Sequence, residues 1–470
     1  MSPGKRVRMG DVVRRRRTPR LDAVSVLAVV IPLVTVGVLA MVRQPPVHDR
    51  TQPPALTRLT SATVVCPARV PGSPDAWVST ASGGSGDVSV RAQGAASSMP
   101  VRTGAVARVP GTDAPVVVGR DALAPGLLGL RSGTSPLTYQ ACSVPSPQQW
   151  FTGLGAGAEH DSVIELVNPD SGSADADITL YGSHPFTARK LHGITIPAHR
   201  TISLDLGRIV PRRMLLSAQV QVTRGRLAVH VLDSRTNLLT HQVRREWLPR
   251  QDGPAADSQL LGLPTGKGTR TLQLANPGEE GVRVQVKIVT GDTSFAPAGL
   301  DTVTVPAGAT RSVSLTKVLA KALGDGAVGV QVTADGPVTA SVLTDLGTDQ
   351  AFTVPDPVIR DQAATLLPVA RGKGATPVTA TLYVAADSAG AATVSAYDAS
   401  GKKLLDRRVG QQQGLTAKVP LPKGTAFLEV VPESTRIRAA VLLTGDGASV
   451  VPMHELLTRG LVPQISLGQD

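Results

Sequence analysis

The stretch IELVNPDSG, residues 164–172, is answered by LQLANPGEE, residues 272–280. Asn168-Pro169 and Asn276-Pro277 carry the likeness. Apolar residues stand four and two places before each asparagine: Ile164 and Leu166, then Leu272 and Leu274. Proline cannot donate to a ladder and drives the residue before it out of helical conformation. Asn-Pro therefore reads as the end of a strand, repeated because a module is repeated.

The flanking sequence supports duplication. After the second Asn-Pro, Val282, Val284, Val286 and Ile288 alternate with Arg283, Gln285 and Lys287. That is a half-buried strand with period two. Ile178 and Leu180 form a shorter version in the first copy. Each copy then reaches two strands about a Pro-Ala turn, ITIPAHRTISLDL at Pro197 and VTVPAGATRSVSL at Pro306. Seven and nine places beyond these prolines stand Leu204 and Leu206, Val313 and Leu315. Two, four and six places beyond Gly225 and Gly336 come Leu227, Val229 and Val231, then Val338, Ala340 and Val342. Such offsets define repeats at 148–250 and 251–357. A diverged third copy at 358–470 keeps the strand order but has Ala385-Ala386 where Asn-Pro stood. Residues 61–147 form an N-terminal β domain, read as a fourth domain and a candidate degenerate copy. SLTKVLAKAL, after Val313, predicts one or two helical turns, with LGRIVPRRMLL as its counterpart in the earlier copy.

Val and Thr favour strands, and 47 glycines with 37 prolines favour turns. The expected class is all-β: tandem immunoglobulin-like β-sandwiches, with about seven short strands per hundred residues. The immunoglobulin assignment is by analogy, because no Trp stands between paired cysteines in the repeats.

The net charge of +12 suggests a nucleic-acid partner, but its distribution excludes one. Residues 1–22 hold eight basic groups against Asp11 and Asp22, which is half the excess. Residues 23–42 then run without a charge. At about 1.5 Å rise per residue a helix of that length spans a bilayer core of roughly 30 Å. The basic tail marks the cytoplasmic side, so residues beyond 42 are expected outside. The alternative is a signal peptide cleaved near Ala40. A Pro-rich stalk follows at 43–60. Cys66 and Cys142, both beyond the apolar run, predict a disulfide in an oxidising compartment.

Trp150, Phe151, Gly153, Asn168, Pro169, Pro197 and Ala198 carry a pattern of Trp-aromatic, Leu-x-Asn-Pro and Pro-Ala. It resembles repeats in uncharacterised, membrane-anchored surface proteins of actinobacteria, a family with a domain of unknown function. The likeness extends over most of residues 60–460. It implies an anchored envelope protein and supplies no catalytic residues.

Chemical motifs fail on spacing. GKGT, residues 266–269, has Gly268 where a phosphate loop needs Ser or Thr. HELLT, residues 454–458, has Thr458 where a zinc helix needs a second histidine. HVLDS, residues 230–234, sets His, Asp and Ser close in sequence, which does not define a triad. His230 itself is expected on a solvated strand face. Asp252 and Asp356, near the linkers, are the candidate calcium positions, without a dense acidic run. Trp77, Trp150 and Trp247 are expected in packing.

The expected function is a non-enzymatic, single-pass scaffold, spacer or interaction module of the envelope, with no cofactor and no metal. The second reading is an envelope polysaccharide-binding or assembly accessory. Expected partners are the membrane through residues 23–42 and an envelope polysaccharide or protein.

Overall fold

The computed structural model describes residues 23–41 and 55–462, apart from 72, 82–83, 93–94, 110–112 and 369–375. Of the described residues, 23–41 belong to one unit and 56–460 to another. In the first, Ala23–Met41 is an uncharged α-helix of 19 residues with Pro32 inside it. Thr35 Oγ1 donates to Ile31 O, so its hydroxyl is satisfied within the helix. Among the described residues no helix is long and apolar enough to cross a membrane. The side chains of Ser25 and Ala40 lie outside that description, and the membrane reading of 23–42 rests on the sequence. The basic tail and residues 43–54 of the stalk also lie outside the described residues. The stalk stops short of residue 60, because Ala55–Arg58 is a strand and Leu59 N donates to Thr458 O.

The unit of 56–460 is almost entirely β and uses one topology four times. Module I begins at Ser61–Val65, module II at Gln148–Ala156, module III at Ala255–Leu261 and module IV at Ala363–Leu366. Within each, the first strand pairs with the sixth, which pairs with the third, which pairs with the fourth. A second sheet places the fifth strand beside the second, then the seventh, then the eighth. Modules I and IV keep two separate four-stranded blades. In II and III the sheets run together into one eight-stranded, half-closed sheet. In III a single strand, Ala327–Asp345, does this by serving as both sixth and seventh.

The immunoglobulin order is not found. That order sets the first strand beside the second, whereas here the first runs along the sixth in every module and meets the second only in II, at Ala156 and Asp161. Alternation along a strand fixes which face is buried, but pairing partners are set by contacts between distant segments. The period-two pattern therefore could not separate the two arrangements.

Alternation does position the cores. In Val282–Thr290 the side chains of Val282, Val284, Val286 and Ile288 point inward and those of Arg283, Gln285 and Lys287 outward. The short helices Leu206–Ile209 and Thr316–Gly324 follow the fifth strand in II and III, where Leu206, Leu315 and Leu319 close the core ends.

The modules close into a ring. Val65 and Val116 of I pack on Val167 and Ala228 of II. Leu343 and Phe352 of III join the core of II around Phe151. Leu261 and Val328 of III meet Tyr383 and Leu442 of IV. Trp77, Leu130 and Leu137 of I share the core of IV. At the centre the four eighth strands, Leu137–Ala141, Val243–Leu248, Gln350–Thr353 and Gly447–Pro452, each pack on two neighbours in turn.

Candidate functional site

Asn168 sits at the end of the second strand of module II and is buried. Its Nδ2 donates to Gly172 O at 2.7 Å, Ile196 O at 3.0 Å and Pro197 O at 3.1 Å. Its Oδ1 accepts from Asp170 N at 3.0 Å. Asn276 repeats every bond in module III: to Glu280 O, Val305 O and Pro306 O, and from Gly278 N. The asparagine thus fastens its own turn to the Pro-Ala turn. A further bond seals each pair, His199 N to Asp170 O and Gly308 N to Gly278 O. Pro169 and Pro277 cannot donate, which leaves the asparagine oxygen free to hold the next N–H. The motif is a structural lock. In module IV, where Ala385-Ala386 replaces it, the next residue, Asp387, pairs with Arg436 and Arg438 at the start of the seventh strand, at 3.2 and 2.6 Å.

The Ser, His and Asp that the structure brings together are not those of HVLDS alone. His160 Nε2 and Ser162 Oγ each lie 2.7 Å from the same oxygen, Oδ1 of Asp233. In a nucleophilic triad the histidine stands between serine and acid. Here the acid stands between them, and all three are buried. Gln350 of module III donates to Asp233 Oδ2 at 3.2 Å, so the cluster ties II to III. His230 is also buried, which corrects its expected solvated position. It bridges Glu165 and Val65 O of module I, and Glu165 also accepts from Ala68 N. Its strand faces a neighbouring module rather than water.

The axis carries two perturbed acids. Glu246 of II accepts from Tyr139 N of I and from Trp247 N. Burial, and then Asp349 beside it, push its carboxyl well above the usual range. The Trp247 and Tyr139 N–H groups and the Ser449 side chain pull the other way without offsetting burial. Asp349 of III accepts from Ala448 N of IV, and burial raises it to about 6. A Glu246 carboxyl that keeps its proton can sit beside an ionised Asp349, where two carboxylates would repel.

A cavity of about 470 Å³ opens where chain segments leave the eighth strands. Pro145, Pro249 and Pro452 line it, with Arg250, Asp252 and His454. Burial, and then Arg250, hold His454 down to about 4. It is a neutral imidazole at neutral pH, 3.9 Å from Asp252. Among the described residues no three His, Cys, Asp or Glu side chains converge in a way that could hold a metal. Asp356 is buried and its Oδ2 accepts from Leu261 N, so it closes the III–IV linker rather than facing an ion.

The remaining sequence motifs resolve as structure. Cys66 and Cys142 form a disulfide across 76 residues in module I. Trp150 is buried and stacks on Tyr181, with ring centroids 5.9 Å apart. Phe151, buried beside it, belongs to the II core. Around GKGT, the carbonyls of Pro264, Gly266 and Gly268 point inward to the buried Arg270 guanidinium. A phosphate loop points N–H groups inward, so this loop has the opposite polarity. HELLT is not helical, and Glu455 accepts from Arg360 N and Asp361 N. The axial acids had no sequence signal, because Glu246, Asp349 and Tyr139 are far apart in the chain.

Residues 132–422 match the Family of unknown function (DUF5719). The chain belongs to this family. The match runs from the seventh strand of module I to just beyond the fifth strand of module IV, so family membership and the ring coincide over modules II and III. No curated protein matches the chain.

Proposed function

We propose that the chain is a membrane-tethered, extracytoplasmic protein of the cell envelope that acts as a non-enzymatic scaffold or interaction module. The observation that carries this reading is how the ring uses its reactive side chains. His160, Ser162, Asp233, Glu165 and His230 are buried and bonded to one another or to the next module. They hold four copies in a fixed frame. A rigid frame with chemically varied outer turns suits presentation of a binding surface. The uncharged run at 23–42, the eight basic residues before it and the disulfide support the tether and the outside location.

Protease applied to intact cells tests this. The expected result is loss of residues 56–460 while an epitope at residue 1 stays protected and membrane-bound. A chain recovered whole in the cytosolic fraction would overturn it. The envelope polysaccharide reading is favoured by one observation, a groove between modules I and II.

A further inference from the structure

The Pro-Ala turn of module II does not meet its neighbour as that of module III does. In III the turn is Pro306-Ala307-Gly308-Ala309. Gly308 has φ 61 and faces Pro185 of module II, 3.7 Å from where a Cβ would stand. Ala309 is buried, and Thr310 Oγ1 donates to Tyr181 O at 2.8 Å. That junction is filled. In II the turn is Pro197-Ala198-His199-Arg200, and beside it lies an open groove of about 640 Å³ against module I. Arg91 and Asp113 stand on the module I side, with Asn168, His199 and Arg200 opposite.

Three features of the groove point to a ligand. His199 holds φ 53, a conformation for which glycine is better suited and which Gly308 supplies in the sister turn. Its Nδ1 donates to Pro169 O at 3.1 Å, which fixes the ring and leaves Nε2 without a partner among the described residues. Arg91 and Arg200 have no side-chain hydrogen bond or ion pair among the described residues. The wall behind them is stiff, because the buried Arg131 guanidinium donates to Pro67 O, Pro74 O and Asp113 O.

We propose that this groove binds an acidic polysaccharide. The two guanidiniums suit a carboxylate or phosphate, and the free imidazole nitrogen suits a sugar hydroxyl, which can donate or accept. An acidic sugar satisfies both. Among the described residues no aromatic side chain lines the groove, so they offer no platform for stacking bases. The proposal gives a ligand class to the interaction-module reading and rests on it for the ligand's source. Binding itself is read in solution, so failure of the groove and failure of the outside location are told apart by separate experiments.

The test is titration of the full chain with polygalacturonate, dextran and polyphosphate. These offer acid with hydroxyls, hydroxyls alone and charge alone. Polygalacturonate binds and dextran does not. R91A/R200A weakens polygalacturonate binding about tenfold or more, as expected for lost charge-assisted bonds. H199G weakens it several-fold, leaves polyphosphate binding unchanged and does not lower the thermal midpoint. Polyphosphate also reports the N-terminal basic tail, so its persistence in both variants is expected. Unchanged polygalacturonate affinity in both variants would overturn the proposal. So would dextran binding of equal strength, and so would an equal loss of polyphosphate binding in H199G.

Discussion

Modules II and III share a strand order, an asparagine lock and a Pro-Ala turn, yet their turns differ at two residues. Gly308 and Ala309 are small, and the second is buried. His199 and Arg200 are large and polar and stand at a groove. The backbone is the same: φ is 61 at Gly308 and 53 at His199. A scaffold can therefore hold a turn constant and change what it presents. The lock is what makes this possible, since Asn168 and Asn276 fix the turn from the inside without using its side chains.

The largest effect should come from removing the locks. Asn168→Ala and Asn276→Ala each remove three donated bonds and one accepted bond, and each should cost about 3–5 kcal/mol in urea or thermal unfolding. Equal losses would show that the open groove does not loosen the II turn. A loss at Asn168 smaller by more than about 1 kcal/mol would show that water reaches the turn through the groove.

A second contrast between the same modules lies at the axis. Four residues before the end of its eighth strand, II carries Arg244 and III carries Asp349, counting from Leu248 and Thr353. Asp349 has a folded value of about 6 against 3.8 ordinarily. It binds its proton more tightly when folded, so its contribution is complete below 3.8 and is lost as pH rises through 6. Asp349→Asn stays neutral, and should gain about 3 kcal/mol over the parent at about pH 7.5 and almost nothing at about pH 3.5. His454 works the other way. With a folded value of about 4 against 6.5, its contribution is present above 6.5 and is lost as pH falls through 4. It titrates in both proteins and cancels from their difference. Thermal midpoints across that range check the slope.

The smallest effects come from exchanging the turn residues. Gly308→His should cost about 1–2 kcal/mol, because an L side chain is forced into the left-handed region. His199→Gly should be neutral or stabilising by up to about 1 kcal/mol. Differential scanning of the pair checks both. A stability loss in His199→Gly would mean that the imidazole serves the fold, and the contrast between the turns would lose its functional meaning.

The all-β class, the repeat and the buried face of strands such as Val282–Thr290 were legible in sequence because side-chain period follows directly from strand geometry. The Asn-Pro motif was legible as a strand end, but not as a lock, because two of its four bonds reach carbonyls that the Pro-Ala turn brings in from elsewhere in the module. His230 was misread for a related reason. Alternation puts it opposite the apolar face, and only the packed ring shows that this second face meets module I through Val65 and Glu165. The immunoglobulin order failed because many pairings are compatible with the same alternating strands.

The sequence by itself determined that the chain is a strand-built repeat carrying an uncharged run, a basic tail and two cysteines. These are local properties, set by residue type and spacing. The tertiary structure decided that the first strand pairs with the sixth, that four modules close on one another, and that Glu246 and Asp349 share a dry axis. It also decided that the turn at His199 stands open while the turn at Gly308 is filled. Those outcomes depend on which distant surfaces meet, and burial, which sets the charge of an acid or the freedom of an arginine, exists only once they do.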